Sequence, residues 1–233
     1  MSPPLQEIWV YLSATPLLGL TATLLAYLAA HRIYERSGFN PLANPVLIAV
    51  ALLVALLAVT GTPYKTYFEG AQFVHFLLGP ATVALAVPLY EQRAQLARLA
   101  IPLLLGLTAG VLTAVTSAVG FAWLFGASRE TILSLAPKSV TTPIAMGIAE
   151  KIGGLPSLTA VLVILTGMLG AIIARPLLNL LRVQSHATRG FALGVASHGI
   201  GTARAFQVSE EMGAFAGLAM GLAALATALL VPA

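Results

Sequence analysis

The chain has no cysteine, which excludes disulfides, thiolate metal ligands and a cysteine nucleophile. Charge is almost as scarce, with Asp, Glu, Lys and Arg together making up 9% of 233 residues. Hydrophobic residues reach 58% and the mean hydropathy is +0.92. So little polar surface cannot cover an aqueous globule, and a soluble fold is set aside. No basic run carries interleaved aromatics, so the 12 Lys and Arg against 8 Asp and Glu do not point to nucleic acid. No Gly-x-Ser-x-Gly elbow and no HExxH helix is present, which leaves an intramembrane hydrolase dyad of Ser139 and His198 without support. The chain reads as a non-enzyme with no cofactor.

What is present is a set of long charge-free runs. They lie between Glu7 and Arg32, between Arg36 and Lys65, between Arg98 and Arg129, between Lys151 and Arg175, and from Met212 to Ala233. Each exceeds the roughly 20 residues that a helix needs to cross a hydrocarbon core of about 30 Å. The expected fold is therefore all-α, a polytopic integral membrane protein over residues 1–233 with about five full spans, near 7–30, 44–60, 97–125, 155–181 and 210–231. No Lys or Arg precedes the first apolar stretch, which is also too long for a signal-peptide core, so it is expected to stay as a helix. Arg32 and Arg36, Arg93 and Arg98, and Arg182 and Arg189 fall in short connections. The positive-inside bias places these in the cytoplasm and the N-terminus outside.

Three further segments, 66–91, 128–152 and 186–207, are apolar but interrupted, by Gly79-Pro80, by Pro137 and Pro143, and by His198-Gly199-Ile200-Gly201. Proline removes a backbone donor and drives the preceding residue out of the helical region, so the proline-bearing segments each read as two short helices joined at a break. Pro80-Ala81-Thr82-Val83 and Pro137-Lys138-Ser139-Val140 share a Pro-x-Thr/Ser-Val pattern, which hints at the inverted repeat of secondary transporters.

Irregular backbone at membrane depth is tolerated only where protein or a water-filled cavity satisfies its polar groups, so the breaks are where a site is sought. At Pro137-Lys138-Ser139-Val140-Thr141-Thr142-Pro143 a cation, three hydroxyls and free amides gather at a helix start, a combination that attracts a carboxylate. The competing reading is a capped helix start with Ser139 as the cap, Pro143 in the first turn and Lys138 at the lipid interface. In Ser197-His198-Gly199-Ile200-Gly201-Thr202-Ala203-Arg204 the glycines allow close backbone approach and Arg204 is suited to a bidentate carboxylate contact. Here the competing reading makes Gly199 and Gly201 packing contacts, His198 a satisfied polar residue and Arg204 a snorkelling end residue. Around Glu69 and His75 the aromatics Tyr67, Phe68, Phe73 and Phe76 suggest an interfacial belt, with His75 available for proton coupling. Gly213, Gly217 and Gly221, spaced by four, offer a close-packing stripe for a homo-oligomer or for contacts within one subunit.

Lys138-Ser139-Val140-Thr141-Thr142-Pro143-Ile144-Ala145-Met146, Ser197 to Arg204 and Leu78 to Tyr90 resemble the LrgB/CidB family. The resemblance extends over nearly the whole length and includes the C-terminal domain of the plastid glycolate/glycerate translocator. It implies a multi-pass protein of the cell membrane with one of two activities. One is transport of small monocarboxylates such as glycolate, glycerate or pyruvate. The other is holin-like modulation of murein hydrolases and lysis with a small LrgA/CidA-type partner. Transport fits the broken segments better. On that reading Lys138 and Arg204 neutralise the acid, Ser139, Thr141, Thr142 and Thr202 read its hydroxyl or carbonyl, and Pro80, Thr82, His198, Gly199 and Gly201 complete the site. Coupling to a proton or another cation is expected.

Overall fold

The computed structural model describes residues 16–40, 43–77, 80, 83–84 and 86–232. Among them every regular element is a helix: α1 (Pro16–Arg36), α2 (Pro45–Thr60), α3 (Tyr64–Phe76), α4 (Ala86–Glu91), α5 (Arg93–Leu124), α6 (Arg129–Leu135), α7 (Thr142–Ile152), α8 (Pro156–Leu180), α9 (His186–Phe206) and α10 (Glu210–Leu230). Four of these, α1, α5, α8 and α10, are long and apolar enough to cross a membrane. The expected span at 44–60 is α2, whose 16 residues rise only about 24 Å. The part of the first span before residue 16 lies outside the described residues.

Local chemistry sets the helix boundaries. Asn44 accepts from the amide of Val46 at 2.9 Å, Ser128 from Thr131 at 3.2 Å, and Ser209 from Met212 at 3.1 Å. These side chains satisfy first-turn donors that have no partner within the helix. Gly61 and Gly153 close α2 and α7 in the left-handed conformation, the usual glycine stop.

Contacts divide the chain into two compact units, Met1–Ala84 and Leu85–Ala233. In the first, α1 packs on α2 and α3. Tyr64 stacks on Phe68 with ring centroids 5.7 Å apart, and the Tyr67 hydroxyl hydrogen-bonds Thr23 at 2.8 Å. Tyr67 therefore joins α3 to α1, while the Tyr64–Phe68 stack lies on α3 itself, with Tyr64 66% exposed.

In the second unit α9 lies along α10, α8 packs on α9 and α7, and α6 packs on α5 and α8. The core joins Leu107 and Val111 of α5, Phe191 and Val195 of α9, and the fully buried Phe215 with Ala219 and Ala223 of α10. Outside it, Leu104, Leu105, Phe121 and Trp123 of α5 are more than half exposed, an apolar surface suited to lipid.

The α9–α10 contact depends on two glycines one turn apart. A Cβ at Gly190 would overlap the carbonyl oxygen of Met212, and one at Gly194 would overlap that of Ala216. This is small-residue packing of membrane helices, in which backbones meet directly. Of the stripe expected on α10, Gly213 packs within the subunit, since a Cβ there would overlap the Phe206 ring at the end of α9, whereas Gly221 faces open space. We expect Gly194→Val to abolish a monodisperse folded species in size-exclusion chromatography. Gly221→Ala should be tolerated or stabilising by up to about 1 kcal/mol, because alanine costs less backbone entropy in an exposed helix.

Candidate functional site

Two helix breaks meet in the second unit. The first separates α6 from α7 at residues 136–141. Ala136, Pro137 and Val140 are buried, whereas Lys138 and Ser139 are half-buried. The turn is held by backbone bonds from Lys138 N to Leu135 O (3.1 Å) and from Val140 N to Pro137 O (3.2 Å). Thr141, not Ser139, occupies the N-cap position, with Pro143 in the first turn, and its side chain makes no capping hydrogen bond. The amides of Thr142 and Ile144 consequently have no acceptor among the described residues. Open donors and the positive helix end favour an anion.

Lys138 stands beside them. Its Nζ donates to Ser139 Oγ at 3.3 Å, and among the described residues no carboxylate lies within ion-pair distance of it. A half-buried ammonium without a counter-charge is costly in a low-dielectric setting. Ser139 and Val140 also line a small cavity with Val111, Ala114 and Val115 of α5, Ala136, Val195 of α9, and Ala223 and Thr227 of α10.

The second break is inside α9, where Ser197 (φ −132°, ψ 15°) and His198 (φ 40°, ψ −134°) leave the helical region. A positive φ at a histidine is strained, by about 1–3 kcal/mol, and is retained here by packing and hydrogen bonds. His198 Nε2 meets the Val163 carbonyl at 3.0 Å, and a Cβ at Gly167 would lie 2.8 Å from the same ring. Ser197 sits against Gly170, fully buried, with its hydroxyl lacking a partner. Glycines on α8 thus provide the slot into which the α9 break fits. Val195, two residues before this break, lines the same cavity as Ser139 and Val140, so the two breaks are neighbours.

The geometry sorts the residues singled out from the sequence. Lys138, Ser139, Thr141 and Thr142 cluster at the α7 start. Gly201 is a packing residue, since a Cβ there would lie 2.7 Å from both the Leu193 carbonyl and Ser197 Cβ. Thr202 donates to the His198 carbonyl at 2.9 Å, bracing the kink. Gly199 faces Met220, and Arg204 donates to Gln207 at 2.8 Å near the end of α9. These contacts match the competing reading for Gly201 as a packing contact and for His198 as a satisfied polar residue. Pro80 is an exposed helical residue of the first unit. Thr82 lies outside the described residues, as does the side chain of His75.

Three residues escaped the sequence reading. Ser134 is fully buried, donates to the Glu130 carbonyl at 2.6 Å and accepts from Leu155 N at 2.8 Å. Thr159, also fully buried, donates to the Ser134 carbonyl at 3.0 Å. Together they tie α6 to the start of α8. Thr227, in the apolar second half of α10, reaches the cavity. Hydroxyls isolated in apolar runs were the available signal, but most such hydroxyls bond only their own helix.

Buried breaks, apolar outer surfaces and several span-length helices define a polytopic helical membrane protein of the cell membrane. Residues 23–233 match the LrgB-like family, and the chain belongs to it. It is 38% identical over 216 residues to the uncharacterized protein YwbG of Bacillus subtilis, covering 93% of this chain and 96% of that one. Over 203 residues it is 39% identical to YxaC of the same organism, covering 87% and 88%. It is 32% identical over 222 residues to the holin-like protein CidB of Staphylococcus epidermidis, covering 95% and 96%. No solved structure matches.

We expect Ser134→Ala to lower stability by about 0.5–1.5 kcal/mol, the net cost of losing the hydrogen bond from the Leu155 amide. Thermal unfolding in detergent followed by size-exclusion chromatography measures it, and an unchanged midpoint would show that this link does not hold the α6–α8 joint.

Proposed function

We propose that the chain is a secondary carrier of small monocarboxylates, with the acid bound at the start of α7. The observation that supports this most is Lys138, an ammonium with no carboxylate partner among the described residues, beside open amides and unspent hydroxyls at an intramembrane break. A bound carboxylate would neutralise the cation and fill the amides in one step. On this reading Ser139, Thr141 and Thr142 orient the acid. The break at His198 neighbours that site, and Arg204 belongs to the wider pathway. Movement of the broken segments against the unbroken spans provides alternating access. Coupling to a proton or another cation supplies the driving force. Assembly as a homo-oligomer or with a small LrgA/CidA-type protein supplies the scaffold.

The name of the staphylococcal relative, a holin-like protein, favours a second reading. In it the chain modulates murein hydrolases and lysis by permeabilising the membrane. A lesion of that kind passes solutes without saturation or stereochemical preference and does not need Lys138.

Purified chain in proteoliposomes separates the two. A carrier gives saturable uptake of labelled glycolate, glycerate or pyruvate, at least tenfold weaker in Lys138→Met. Lys138→Met itself should unfold at or above the wild-type temperature, because it removes an unpaired, partly desolvated charge. Non-saturating release of entrapped dye and acids alike, unaffected by Lys138→Met, would overturn the carrier reading in favour of the holin-like one.

A further inference from the structure

Resting on the carrier reading, we infer that Thr227 is a specificity residue. With Ser139 it binds the oxygen on carbon 2 of a small 2-hydroxy or 2-oxo acid whose carboxylate lies at Lys138 and the α7 start. Ser139 and Thr227 come from distant parts of the chain and line one cavity whose other walls include Val111, Val115 and Val195. Its volume is about 10 Å³, close to the space of a single water molecule. A carboxylate with its two oxygens exceeds that space, whereas one hydroxyl or carbonyl oxygen fits it.

The state of the two hydroxyls supports this use. A threonine inside a membrane helix commonly bonds the carbonyl four residues earlier, as Thr108 does to Leu104 at 2.9 Å and Thr116 to Leu112 at 2.7 Å. Thr227 is only 3% exposed, yet its hydroxyl makes no hydrogen bond with a described residue. Ser139 Oγ accepts from Lys138, so its own proton remains to be donated. A substrate oxygen between them would receive one or two hydrogen bonds. An acid bearing only hydrogen at carbon 2 would leave both hydroxyls unmatched, which a polar site penalises more strongly than an apolar pocket penalises a missing methyl group.

The test compares glycolate with acetate in proteoliposomes containing the full chain, reading kcat/KM for each. Wild type should prefer glycolate at least tenfold. Thr227→Val, which keeps the shape and removes the hydroxyl, should cut that preference about tenfold, and Thr227→Ser should preserve it. If Thr227→Val does not fold, Ser139→Ala must lower the same ratio. A ratio unchanged in the folded variant overturns the role of Thr227 and leaves the carrier reading intact. Saturable uptake of neither acid by wild type, nor of glycerate or pyruvate, overturns the carrier reading and this inference together.

Discussion

A hydrocarbon core contains no water to bond a backbone amide or carbonyl, and this constraint shapes every part of the protein. An unbroken helix meets it internally, which is why α5, α8 and α10 are long and monotonous. A break does not, because each interrupted turn leaves donors and acceptors that protein, water or ligand must satisfy. The two breaks of the second unit meet this requirement differently. The one in α9 is closed almost entirely by protein: His198 bonds Val163, Thr202 bonds the His198 carbonyl, and Gly167 and Gly170 receive the displaced chain. The break before α7 is left open, with first-turn amides, a threonine cap that does not cap and a lysine without a counter-ion among the described residues.

That contrast is the main physical reason for proposing a ligand at the α7 start and a supporting role for the α9 break. A closed break offers rigidity. An open one offers unmet hydrogen-bonding capacity in a low-dielectric environment, where each contact to a charged group is worth more than in water. The supporting break is also strained at His198 and carries an orphaned Ser197 hydroxyl, so the wall beside the site is built from backbone that only its packing holds in place.

The same economy of small residues explains how the helices come close enough to form the cavity. Gly190 and Gly194 bring α9 against α10, and this contact places Val195 beside Ala223 and Thr227. Any side chain at those glycines would separate the two helices and open the cavity. The packing glycines and the cavity residues are therefore parts of one arrangement.

Much of this was legible in the chain itself. Charge-free runs of span length dictate helices in a membrane, because no other structure satisfies a backbone there. Pro137 and Pro143 mark a break for the steric reasons that apply to any proline, and the residues around Lys138 carry the chemistry of anion binding in their order alone. Other features depend on which helices touch. Whether Ser139 or Thr141 caps α7 is set by the turn at 136–141. Gly201 and Thr202 turned out to brace a kink because Leu193 and His198 fold back on them. The backbone-to-backbone approach is made by Gly190 and Gly194 of α9 because the α10 carbonyls face them, while on α10 Gly213 packs against Phe206 and Gly221 faces open space. Thr227 is an ordinary threonine in the sequence. Only the tertiary structure, by bringing α10 against a break almost ninety residues earlier, shows it beside Ser139 with its hydroxyl unspent, since periodicity reports the face of a helix but not what that face meets.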